Sequence, residues 1–297
     1  MSFLNPVNEP VLVFRSTDVG APQINHSSRT VGDVKAIFKA CLVDGYGTKA
    51  SAGWSIINEV GHVAEFVSPA LSLSNYRFGI NDSVAATITH YYTYDDVRVN
   101  PASNTAKRDF VYTDAVSAKN GWTFIVSDRG FYFVEAVKPT AVSETCARMT
   151  HWGAMKSALE LEPDKNITFF TLGWGAATNS AFTLLEQSIA GNRHIVLDSY
   201  SSLSYVSANK HFFAITDRPP VIAAMPSIAK LYIATGINII AEQVGLLLKS
   251  SNAIGVYEDT LNGRNVLNVT IALESYETVR VIDYARTFLI YLDQWEY

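Results

Sequence analysis

One stretch of this chain, Thr30 to Tyr46, carries the apolar spacing of a helix, and strand patterns lie on both sides of it. From Val31 the apolar positions Val34, Ile37, Phe38, Cys41 and Leu42 recur on one helix face. Thr30 is placed as the N-cap, with Asp33 where a capping box would put Glu. Gly45 and Gly47 end the element, as glycines do beyond helix C-termini. Before it, Val11 to Ser16 is a short apolar run closed by the turn residues Asp18 to Pro22; after it, Ala52-Gly53-Trp54 opens a β-hairpin. Strand, helix and glycine-punctuated return therefore make one packing unit, with no concentration of reactive side chains.

Downstream the period is that of strands. Trp54–Asn58 and His62–Val67 flank a Glu-Val-Gly turn, and Tyr76–Asp82 and Ala86–Tyr92 continue the pattern. Trp122–Ser127 and Phe131–Ala136 bracket Asp128-Arg129-Gly130, the clearest hairpin, whose glycine is assigned to a turn position of positive φ. Residues 100–119 are polar and read as a long excursion, and 181–190 as a short helix. Further strands are expected at 167–172, 194–198, 212–216, 231–235, 266–273 and 288–293. No fixed-period repeat is present, which disfavours a solenoid or propeller. The fold class is α+β and β-rich: antiparallel sheets or a sandwich, with one clear helix over about 31–44 and few others. Lys138-Pro139-Thr140 is a candidate seam between an N-terminal α+β domain (1–140) and a β-rich half (141–297), unless the whole is one domain.

Composition narrows the function. The 297 residues carry a formal net charge of −5 and have no run of Lys and Arg, so a nucleic-acid footprint is missing. Charged residues are only 17%, below the roughly 25% usual for soluble domains. With 15 Tyr, 15 Phe and 5 Trp, much surface is expected to be hidden in a core or against neighbours. Two distant cysteines, Cys41 and Cys146, make no disulfide framework or zinc cluster; each reads as a buried small hydrophobe. Met1–Pro6 has no secretory leader character, and Leu231–Leu248 is too interrupted to span a membrane, so synthesis without export and no membrane partner are expected.

No catalytic, metal or cofactor site emerges. The six histidines lack metal-ligand spacing. Asp95 and Asp96 beside Tyr91, Tyr92 and Tyr94 resemble a sugar-binding cleft, where rings stack on pyranose faces and carboxylates bind hydroxyls. A glycoside hydrolase needs two carboxyls about 5–10 Å apart across the bond. Neighbouring strand residues point to opposite faces, so a charged strand end is the simpler reading of the pair. Gly173-Trp174-Gly175 lacks the Lys-Ser/Thr of a phosphate loop, and a bend that lets Trp174 pack or project is the simpler account. Arg286 to Tyr297 alternates strongly and ends in Trp295 and Tyr297, so it is expected to be docked, within its own sheet or on a neighbour's edge. Candidate interface residues are Trp174, Phe288, Tyr291, Trp295 and Tyr297.

Arg15-Ser16-Thr17-Asp18, Asp44-Gly45-Tyr46-Gly47 and Phe78-Gly79-Ile80-Asn81-Asp82-Ser83 resemble segments of poorly characterised virion structural proteins of tailed bacteriophages. The resemblance is closest over about 10–82, looser at the 122–133 hairpin and the closing Trp295, and missing between about 175 and 265. It implies a non-enzymatic, multicopy virion component made in the bacterial host cytoplasm, with other virion proteins and copies of itself as partners and no cofactor. A tail or baseplate position is expected, with capsid decoration as one alternative and a glycan-binding module or glycoside hydrolase as another.

Overall fold

The computed structural model describes residues 7–24, 30–70, 76–84, 87–94, 106–111, 121–137, 146–154, 156–157, 166–173, 195–198, 210–216, 228–235, 238–249, 255–271 and 286–297. The described elements begin with β1 (Asn8–Pro10) and β2 (Leu12–Arg15), followed by α1 (Asp33–Lys39), which continues as one π-helical stretch over Ala40–Asp44. Then come β3 (Ser55–Val60), β4 (Val63–Val67), β5 (Tyr76–Val84), β6 (Thr87–Tyr94) and β7 (Ala106–Val111). The middle holds β8 (Trp122–Val126), β9 (Gly130–Val137), β10 (Cys146–Ala154), β11 (Lys156–Ser157), β12 (Asn166–Gly173) and β13 (Ile195–Asp198). The last third holds β14 (Lys210–Thr216), β15 (Ile228–Thr235), β16 (Asn238–Lys249) and β17 (Val256–Leu261). β18 (Arg264–Ile271), β19 (Arg286–Tyr291) and β20 (Gln294–Glu296) close the chain.

The fold is α+β and β-rich, and its sheets are antiparallel. One has the order β13-β12-β10-β9-β8-β2, a second β3-β4-β5-β6-β7, and a third β14-β15-β16-β19-β18-β17, with β11 added to β16. β1 pairs with β20. The first sheet is the middle layer. On one of its faces Phe38 of α1 meets Phe124, Phe131 and Phe133 at 4.9–5.5 Å between centroids, and stacks on Phe78 of the second sheet at 5.2 Å. On the other face Tyr132 meets Trp295 edge-on and donates its hydroxyl hydrogen to the Val244 carbonyl. A sheet covered on both faces needs near-continuous apolar strands, and every residue from Phe131 to Glu135 is buried. One hydrophobic cluster runs through all three sheets and α1, from Phe14 to Tyr297.

The helix is capped differently from the sequence expectation. Gly32, at φ 95°, is the N-cap residue, and Thr30 instead bonds the Asp33 side chain through its N–H and hydroxyl. The first-turn N–H groups of Val34 and Lys35 donate to Asp82 Oδ2 at 2.8 and 3.1 Å, so the cap comes from β5. At the other end Gly45, at φ 78°, leads the chain out of the helix. Lys35 and Lys39 reach Glu59 on edge strand β3, tying the helix to that strand.

Two further expectations are corrected. Residues 106–111, read as part of a long excursion, form β7, the edge of its sheet, where a polar composition is tolerated. Gly130 does not adopt positive φ. It is required because β9 and β10 approach closely there: a Cβ on Gly130 would lie 2.7 Å from Gly153 Cα, and one on Gly153 2.5 Å from Gly130 Cα. The apolar stretch 231–248 is two paired strands, β15 and β16. The 138–140 seam lies outside the described residues, between β9 and β10, which pair in one sheet. The helix expected at 181–190 also lies outside them.

Candidate functional site

The Arg15–Asp18 turn and the Asp44–Gly47 segment meet where the chain leaves the helix. The turn after β2 folds the Asp18 carboxylate back, so that Oδ2 accepts from the Arg15 N–H (2.7 Å), the Tyr46 hydroxyl (2.8 Å) and Lys49 Nζ (2.6 Å). Lys49 also donates to the Val13 carbonyl and lies over the Phe14 ring. Burial alone would raise the Asp18 carboxyl; donation from Lys49, the Arg15 N–H and Tyr46 outweighs it and holds the group below the usual carboxylate range. The Tyr46 phenol is pushed up by burial and by its bond to Asp18. Gly47 sits against the Val19 carbonyl, leaving no room for a side chain. This arrangement ties β2 to the exit of the helix, its polar groups bonded to one another.

A second polar cluster lies between the middle and third sheets. His151 Nδ1 is 2.8 Å from the Phe131 carbonyl, which only accepts, so Nδ1 carries the hydrogen and Nε2 accepts from the Gln243 amide at 2.9 Å. The same Gln243 nitrogen donates to the Tyr132 hydroxyl at 2.7 Å, and the Tyr132 ring stacks on the imidazole at 4.3 Å. Burial lowers the His151 pKa to about 3, against a smaller raising effect of the Phe131 carbonyl. Burial also pushes the Tyr132 phenol well up, the Gln243 bond opposing it. A neutral imidazole bonded at both ring nitrogens ties the middle sheet to the third. Deeper on the α1 side, Arg148 and Glu135 form a buried ion pair at 3.6 Å.

The candidates from the sequence fall in different places. Phe288, Trp295 and Tyr297 are buried in this chain's own core, the internal of the two placements considered. Tyr291 is half-buried beneath the Arg264 guanidinium, 3.7 Å from its ring, and Arg264 also grips Asp293 with two hydrogen bonds. Tyr91, Tyr92 and Tyr94 lie on β6, opposite Gly79, Phe78 and Tyr76 of β5. Asp95, Asp96 and Trp174 lie outside the described residues. Cys41 is a buried free thiol whose pKa burial raises well above the ordinary value. Among the described residues no group of three or more His, Cys, Asp or Glu side chains is arranged to hold a metal ion. None of the described helices is long and apolar enough to cross a membrane. The cap from Asp82 and the His151 cluster had no local signal, because each depends on a partner at least twenty residues away. No family model and no curated protein matches the chain.

Proposed function

We propose that this chain is a non-enzymatic structural component of a tailed-bacteriophage virion, present in several copies and associated with the tail or baseplate. The observation that carries the reading is the fate of the segments behind the resemblance. Asp18 and Tyr46 bond each other, and Asp82 caps α1, so those residues serve packing. Residues that serve packing fix a shape, which is what an assembly subunit needs. The polar clusters described above are likewise structural: carboxylates meet cations or backbone N–H groups, and the buried histidine is neutral. A low charge content supports the same reading, since subunit contacts hide surface.

Mass spectrometry of purified particles tests it. The protein is expected among the virion proteins at a low copy number, as a tail ring or baseplate would require. Copies in the hundreds would move it to capsid decoration, and its absence from particles would end the structural reading.

A further inference from the structure

The first and last described strands hold each other very unequally. β20 is anchored by its own side chains: Trp295 and Tyr297 are buried, the Trp295 indole N–H donates to the Tyr291 carbonyl, and the Tyr297 hydroxyl bonds Ser127 at 2.7 Å. β1 has a single side-chain anchor, Glu9. Asn8 and Pro10 are exposed, Val7 before them is exposed, and only Glu9 is half-buried. Glu9 ion-pairs with Arg129 through Oε1, but its Oε2 is buried without a hydrogen-bond partner. A buried carboxylate with one idle oxygen gives up hydration for a single contact, and burial duly raises the Glu9 pKa despite Arg129. Besides that ion pair, among the described residues β1 is held by its backbone pairing with β20: Asn8 opposite Glu296, Glu9 opposite Trp295 and Pro10 opposite Gln294, with paired Val7–Tyr297 hydrogen bonds at the end.

Such backbone pairing does not depend on which chain supplies the strand. If β1 leaves, the edge of β20 stays rigid, because its side chains remain in the core, and it accepts the same strand from another copy. The chain passes from β1 to β2 through Val11 alone, which packs on the core and donates its N–H to the Asp293 carbonyl. The break therefore falls at Pro10–Val11, a short hinge of the kind that favours exchange of an identical element between copies.

We propose that β1 is an exchangeable strand, which in the assembled protein pairs with β20 of a second copy. The exchange rests on the virion reading only for what holds copies close together, where a neighbour's strand competes at high effective concentration.

The register supplies the test. Val7 and Tyr297 form a hydrogen-bonded pair, so Asn8 and Glu296 form the adjacent non-hydrogen-bonded pair, whose side chains lie close enough for a disulfide. Full-length chains carrying Asn8→Cys alone and Glu296→Cys alone are produced together, purified within particles or at high concentration, and mildly oxidised. A two-chain product on a non-reducing gel, lost on reduction and missing when either variant is paired with the unaltered chain, is expected. The double variant, with both cysteines in one chain, controls for folding: its internal disulfide at high dilution shows that both positions reach the register. Internal closure of that double variant, with no mixed two-chain product, would overturn the exchange. If that result comes from particles that contain the protein, the exchange fails and the virion reading stands. A mixed product in concentrated protein that never enters particles supports exchange and removes the virion reading.

Discussion

His151 ties part of the acid stability of this protein to a buried side chain. Its imidazole is neutral in the folded state, with a pKa lowered from the ordinary 6.5 to about 3 by burial. In the unfolded chain it takes up a proton below about pH 6.5, so between those limits the unfolded state binds more protons and stability falls as pH falls. The loss begins as pH drops through the unfolded value and levels off near the folded one. It reaches roughly 3 kcal/mol by about pH 4. Carboxylates such as Asp18 and Asp293, whose pKa values are lowered by their partners, add losses of the same sign. Denaturant unfolding across this pH range should therefore be compared with His151→Gln, which keeps an acceptor for Gln243 but cannot titrate. The variant is expected to be less stable at neutral pH and to have a shallower pH slope; an unchanged slope would remove His151 as the cause. Neither this role nor that of Asp82 was legible in the sequence. Six scattered histidines look alike until burial separates them, and Asp82 acts on N–H groups 47 and 48 residues earlier. Sequence signals reach about one helical turn, whereas these partners are chosen by tertiary packing.

Elements were read more faithfully than single residues, and the glycines show where the reading slipped. The β8–β9 hairpin and the helix are where their apolar spacing places them, because a two-residue or 3.6-residue period belongs to the segment itself. β7, β16 and β17 were missed: β7 and β17 are sheet edges, where polar residues blur alternation, although Asn262-Gly263 before β18 is a strong hairpin signal, and β16 is an interior strand whose pairing with β15 is broken by register shifts. Gly130 was recognised as necessary, but for its φ, when the cause is contact with Gly153. The two causes predict opposite rankings. At Gly263, where φ is 77° and a side chain has open space, Asn should be milder than Ala, which costs ~1 kcal/mol. At Gly130 any Cβ strikes the backbone of β10, so Ala should cost about 1–3 kcal/mol and the larger Asn at least as much. Thermal unfolding of the four variants checks this. Gly130→Asn proving milder than Gly130→Ala would restore the turn explanation.

At the scale of the molecule, the aromatic content that the composition left open between core and interface is spent heavily on joining layers. Phe38 ties α1 to two sheets, and Trp295 ties the closing strand to β9 and β16. That such a layered β-rich fold would form was legible from strand periodicity; which strands share a sheet was not, since pairings such as β1 with β20 join opposite ends of the chain. Trp295 offers the sharpest test of the layering. Its ring lies edge-on to Tyr132 at 5.2 Å and rests on Gly245 of β16, where a Cβ would fall 2.5–2.8 Å from the indole. Removing the ring by Trp295→Ala should cost about 3–5 kcal/mol, through lost burial and the cavity left behind. Gly245→Ala should also destabilise, by two mechanisms: the strain of a side chain at φ 71° and the collision with the ring. Only the collision depends on Trp295. The double variant should therefore lose less than the sum of the two single losses, with a coupling of about 1–3 kcal/mol in denaturant unfolding. Additive losses would mean that the indole does not rest on β16, and the closing strand would then be held by its pairing with β1 and by Tyr297 rather than by the contact of Trp295 with β16.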